Sequence, residues 1–171
     1  MYYIGTDMNL FHKLLNTKTA GVTVMSQLFD LYQIAGNAQF SKKICDIVPY
    51  FATIEPQFVE LRPGYSEVTM PNTRKVHNHL GTVHAIAMCN LAEIAAGLMT
   101  DVSIPETCRW IPTGMNVKYL AKAKSDLRGV ADGQRIDWSI PGDKDIPVCI
   151  TDKDGIEVCA ATITVKVSLK Q

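Results

Sequence analysis

The sequence has no excess of either charge: Lys+Arg and Asp+Glu are 17 each. Nucleic acid needs a basic footprint and anionic lipid a polybasic patch, so neither partner is expected. No run approaches the ~18 consecutive apolar residues of a spanning helix, so no membrane span is expected. The first ten residues carry Asp7 and lack a basic start followed by an apolar run, which argues against a secretory signal. Cysteines are few: Cys45, Cys89, Cys108, Cys149 and Cys159, odd in number, widely spaced and without a C-x-x-C pair. That pattern disfavours a disulfide framework or a cysteine zinc site. It fits small core residues in a reducing cytoplasm. There is no internal repeat, low-complexity segment or Gly-rich phosphate loop.

What is present is one domain's worth of chain, 171 residues with an ordinary apolar fraction of 47%. Residues 1–48 read as a helical extension. Asn9 can cap a helix carrying Leu10, Leu14 and Leu15, and Val24, Leu28, Leu31, Tyr32 and Ala35 form a second helical stripe before Gly36. Ser41 then precedes a short stretch with Ile44, Ile47 and Val48, closed by Pro49. Residues 49–171 read as the main domain. Strands are expected over 52–61 and 65–70, joined by the turn Arg62-Pro63-Gly64-Tyr65. In the second strand Ser66, Val68 and Met70 share one face.

A buried helix is expected over 82–99, because it is apolar all round. Its polar members are His84, Asn90 and Glu93. Further strands are expected over 113–123 and 125–131, pairing with each other, with a loop over 137–146. A hairpin then joins 148–151 to 156–169 across Asp152-Lys153-Asp154-Gly155. Strands gathered around one central helix make an α+β fold with a mostly antiparallel sheet.

The chemistry concentrates in His77-Asn78-His79-Leu80-Gly81-Thr82-Val83-His84-Ala85, directly before the buried helix. Free N–H groups at a helix start attract negative charge, such as an oxyanion on a thioester carbonyl. Donors near His84 and Ala85 would be held there, and Ala85 is small enough for close approach. Glu93 on an apolar helix would be desolvated, which suits a general base, unless a neighbouring group satisfies it. His84 and Glu93 are nine residues apart. At about 100° and 1.5 Å per residue they lie on opposite faces, about 13 Å apart along the axis, if the helix begins by His84. One site using both would then join two subunits. His77, His79 and His84 could also form a metal site, but no further ligand follows at close spacing, and no metal is expected.

The run Asn78-His79-Leu80-Gly81-Thr82-Val83-His84-Ala85, with Glu93 eight residues on, resembles the PaaI-like branch of hotdog-fold thioesterases. The resemblance extends over about residues 50–169 and includes the Pro63-Gly64 turn and the stretch Gly114 to Tyr119. It implies the hotdog fold, an antiparallel sheet wrapped around a central helix, here with extra N-terminal helices. It implies hydrolysis of an acyl-CoA or acyl-carrier thioester without a cofactor. It also implies a homo-oligomer, a dimer or dimer of dimers, with composite sites. In the implied site Asn78 and His84 orient the thioester or water and Ala85 donates its backbone N–H. Glu93 of a partner subunit is base or nucleophile, and Gly81, Ile86 and Thr113 line the substrate. Three features depart from the family pattern. Ala85-Ile86 replaces Gly-Gly, Glu93 replaces Asp, and the polar helper of the third strand has only Thr113 near its place. A non-catalytic acyl-thioester binder on the same fold is therefore the second expectation.

Overall fold

The structure, a computed structural model, describes residues 28–170. The helix expected around Leu10 to Leu15, and Val24 of the second stripe, lie outside the described residues. Two short helices come first, α1 (Leu28–Ala35) and α2 (Asn37–Ile47), broken at Gly36, whose φ of 73° is left-handed. α2 starts four residues before Ser41. The hydroxyl of Ser41 donates to Asn37 O at 2.7 Å and accepts from Phe58 N at 2.8 Å, tying the helix to the first strand. Phe40 stacks edge-on against Tyr32 and Phe58, and the two helices share the core of the main domain.

Six strands follow: β1 (Gln57–Arg62), β2 (Tyr65–Met70), β3 (Cys108–Tyr119), β4 (Leu127–Asp132), β5 (Gly142–Thr151) and β6 (Glu157–Leu169). They form one antiparallel sheet in the order β1-β2-β4-β5-β6-β3. The long helix α3 (Ala85–Ser103) lies across one face of it, and Ser66, Val68 and Met70 of β2 share one face as expected, the one buried in the core. This is the hotdog fold. α3 is long and apolar enough to cross a membrane, but from Leu91 to Asp101 only Glu93 escapes burial, so it is a core helix. At Gly129 of β4 an added Cβ would stand 3.0 Å from Leu91 Cγ, so sheet and helix approach closely there.

Four expectations need correction. The strand expected over 52–61 begins at Gln57. A 3-10 turn (Phe51–Ile54) precedes it, Glu55 is left-handed, and Pro56 has no N–H for a ladder. β1 is an edge strand, in keeping with that proline. Second, β3 and β4 do not pair with each other. β3 pairs with β6, and β4 sits between β2 and β5. The chain between them is drawn off: Leu120 N donates to Val158 O, and Ala123 O accepts from Val83 N at 2.9 Å. Third, the loop expected over 137–146 gives way to β5 at Gly142. Pro147 is tolerated inside β5 because β4 pairs only with its last residues, Val148 to Thr151. Fourth, the cysteines are not uniformly core residues. All five are free, Cys108 and Cys159 are buried, and Cys149 is exposed on the sheet.

The far end of α3 carries an unusual acid. Asp101 is 8% exposed, and its Oδ2 has no hydrogen-bond partner. Burial pushes its carboxyl up from 3.8 to about 6, against a hydrogen bond from Trp110 and the attraction of Lys170. Between those two values the unfolded chain has lost the proton and the folded chain has kept it. Stability therefore falls as pH rises from about 4 to about 6, by about 2–3 kcal/mol in all. Asp101→Asn should flatten that slope in melting temperatures measured from pH 4 to pH 7. An unchanged slope would show that other groups set the pH dependence.

Candidate active site at the start of α3

The loop before α3 is closed by its own residues. His77 and Val83 form an antiparallel bridge, and Asn78 N donates to Thr82 O at 2.8 Å. Asn78 Oδ1 accepts from Leu80 N and Thr82 N, and its Nδ2 donates to Thr82 Oγ1. The tip turns through Gly81, whose φ of 75° a side chain would strain. His79, Leu80 and Gly81 are exposed. Asn78 thus holds the loop in shape, with one amide N–H left for anything else. The asparagine expected to orient substrate acts first on its own backbone.

His84 ends this loop as the N-cap of α3, with an extended backbone of φ −68° and ψ 140°. Its N–H donates to Val76 O at 2.7 Å, and its Nδ1 accepts from Ile86 N at 3.1 Å. A ring nitrogen that accepts carries no proton, so the neutral ring carries its hydrogen on Nε2 and presents it outward as a donor. Ala87 N and Met88 N both donate to His84 O. The cap therefore occupies the helix-start donors with one exception. Among the described residues the Ala85 N–H has no acceptor. A capped terminus with a single free N–H is a point donor backed by the helix dipole.

The helix begins at Ala85, so the premise that placed His84 and Glu93 on opposite faces does not hold. The separation along the axis does: eight residues from Ala85 to Glu93 rise about 12 Å. Glu93 is exposed, which corrects the expectation of a desolvated carboxylate on an all-apolar helix. Among the described residues no neighbour covers it. Ile86, Cys89 and Glu93 form the least buried stripe of α3's first turns, with Ile86 54% exposed. Beside it runs β3, whose inward residues Met115 and Tyr119 are themselves 40% and 50% exposed. Cys89 Sγ lies 3.1 Å from Tyr119 Oη. That hydrogen bond, with burial, pushes the phenol up to about 12, so it stays protonated.

The structure thus brings Asn78, Gly81, His84, Ala85 and Ile86 together at the helix start. Glu93 stands two turns away. Thr113 is not brought there: it occupies a bulge of β3 and donates its hydroxyl to Thr164 O at 3.2 Å. Among the described residues no three His, Cys, Asp or Glu side chains converge as metal ligands. Sequence reasoning missed Cys89 and Tyr119. The spacing 86, 89, 93 was visible as a helical stripe. Tyr119 was hidden because its inward orientation depends on the bulge between Pro112 and Gly114. Asn90 was noticed only as a polar member of the helix.

A crystal structure described only as a genomics target is 57% identical, covering 86% of this chain and all of its own, with a TM-score of 0.80. A Pseudomonas aeruginosa protein described as a probable thioesterase is 21% identical over 74% of this chain and 91% of its own, TM-score 0.65. A Haemophilus influenzae thioesterase is 16% identical over 74% and 87%, TM-score 0.66. At those identities the last two likenesses establish the fold alone. No curated protein matches the chain. The chain belongs to the family described as domain of unknown function DUF4442, whose model matches residues 36–167.

Proposed function

We propose that the protein hydrolyses an acyl thioester, acyl-CoA or acyl-carrier, in the manner of PaaI-like hotdog enzymes. The supporting observation is the lone free N–H of Ala85 at a helix start whose other donors are capped. The thioester carbonyl oxygen accepts from that N–H. Asn78 and His84 hold the loop and cap that position it. Glu93 of a second copy takes a proton from water, which attacks the carbonyl carbon. The negative charge gathers on the oxygen facing Ala85. The tetrahedral intermediate then collapses, the C–S bond breaks, and the proton passes from Glu93 to the departing thiolate. Free acid and thiol result. Gly81 and Ile86 stand as substrate-lining residues in this reading; Thr113, bonded to Thr164 O in the β3 bulge, does not.

A second copy is required because about 12 Å separates Ala85 from Glu93 within one helix. The edge strand β3 is suited to receive it. It is twelve residues long, pairs among the described residues only with β6, and exposes Ile111, Met115 and Tyr119. Such an edge invites strand pairing unless it is covered. Two copies joined through β3 make a homodimer, which can pair again into a tetramer. The five free thiols accord with a reducing cytoplasm.

The test is thiol release from a panel of acyl-CoAs of increasing chain length, alongside direct binding. Release that saturates supports the reaction. Saturable binding without release favours the second reading, a non-catalytic acyl-thioester binder. That reading draws on the internal use of Asn78 and on the exposed Ile86 beside the donor. For the assembly, Met115→Lys places a charge on the free edge and should convert dimer to monomer in light scattering, with loss of turnover. A native protein that is already monomeric would remove the composite site.

A further inference from the structure

The sheet has two edges, β1 and β3, and the chain treats them differently. An edge strand presents main-chain N–H and C=O groups that can template a strand of another molecule. On β1 three such groups are taken by side chains of α1 and α2. Phe58 N donates to Ser41 Oγ at 2.8 Å, and Leu61 N donates to Tyr32 Oη at 3.2 Å. Between them Val59 O accepts from Asn37 Nδ2 at 2.8 Å. A bulge between Phe58 and Glu60 sets the buried residues Phe58 and Leu61 an odd number of positions apart. That breaks the regular alternation an added strand would follow.

Apolar burial already attaches the two helices. Leu28, Leu31, Phe40 and Ile44 belong to the core, and the Phe40 ring meets Phe58 edge-on at 5.0 Å. The polar bonds to β1 are a separate feature, aimed at the groups that strand pairing uses. β3 carries no such cover. Among the described residues no side-chain hydrogen bond reaches its main chain, and it runs for twelve residues against six in β1.

We propose that α1 and α2 form an edge guard: Tyr32, Asn37 and Ser41 fill main-chain groups of β1, so that a second copy of this chain adds only at β3. For the seat of that copy the inference rests on the proposed β3 pairing. The physical consequence is closure. β3 against β3 joins the same surface of both copies and ends the sheet at two. β1 against β3 joins unlike surfaces and leaves a free edge at each end, so copies keep adding unless a ring closes. The guard removes that second arrangement.

The experiment removes the three side-chain partners together, with Tyr32→Phe, Asn37→Ala and Ser41→Ala, and keeps the apolar packing. In light scattering the native mass should stay constant with concentration. The folded triple variant should climb past about twice the native mass as concentration rises. Adding Met115→Lys charges the β3 edge and should halt that growth, since growth needs two free edges on each copy. Bonds that merely anchor the helices would give a triple variant that melts earlier at native mass, and the guard would be overturned. Growth that persists with Met115→Lys in place also overturns it, because unfolding and not edge pairing is then the cause.

Ser41→Ala leaves the Phe58 N–H bare and costs stability. If the triple variant unfolds, Tyr32→Phe with Asn37→Ala decides, because it keeps that bond and still bares Val59 O and Leu61 N. Growth of the folded double variant supports the guard, and native mass at every concentration ends it. If the native protein is a monomer, the β3 pairing fails and the guard is tested alone. The triple variant should then pair through its bared β1 edges and stop at two copies, and a folded variant that stays monomeric ends the proposal.

Discussion

Glu93→Gln should lower kcat by a factor on the order of 10²–10⁴ and leave the melting temperature nearly unchanged. The two halves of that expectation come from different observations. The loss follows from the proposed role: an amide cannot take a proton from water at neutral pH. The retained stability follows from exposure, since Glu93 is an exposed side chain and an isosteric amide disturbs none of the packing among the described residues. Gln also keeps the helix propensity and length of Glu, so α3 and any interface around it should persist. Size measurement of the variant separates loss of chemistry from loss of assembly. Full turnover in a properly folded Glu93→Gln protein would remove the general base.

The second large effect concerns a backbone atom. Ala85→Pro deletes the N–H that has no acceptor and keeps everything else. Ala85 is the first residue of α3, where proline is well tolerated because no intrahelical bond is lost. The residue before a proline must be extended, and His84 already is, with φ −68° and ψ 140°. The fold should therefore survive while kcat drops by about 10²–10³, the usual cost of one oxyanion donor. Ala85→Gly, which restores the N–H, should restore turnover. A Pro variant with native activity would show that the carbonyl does not sit there.

The two variants together test the composite site. If Ala85 of one copy works with Glu93 of the other, mixing inactive Glu93→Gln and Ala85→Pro subunits rebuilds one intact site in each heterodimer. Equal mixing then returns about one quarter of native activity. Sites confined to one subunit would return none.

The parts of this molecule that were legible in the sequence are those governed by neighbours along the chain. The all-apolar stretch around Leu91 and Ile94 announced a core helix. Alternation placed Ser66, Val68 and Met70 on one face, and Asp152 to Gly155 marked the turn joining β5 to β6. The loop from His77 to His84 stood out as a candidate site because its residue types are unusual before such a helix. The partners of β3 and β4 were not, since strand pairing is chosen by distant residues: Ala123 is drawn to Val83, and β3 is left on an edge.

The same division runs through the site. Local order of residues pointed to N–H groups near His84 and Ala85 as candidate donors. Only the folded chain shows that the Ala85 N–H alone is left free, because His84 turns its own ring back onto Ile86. Composition made Glu93 look buried, yet the folded chain leaves it exposed on α3. Asn78 could be named but not its use, since a side chain that can bond a ligand can also bond its own loop. Identity and periodicity are properties of the chain in one dimension. Which hydrogen bonds remain unfilled, and which faces remain uncovered, are settled only when distant segments compete for the same groups in three.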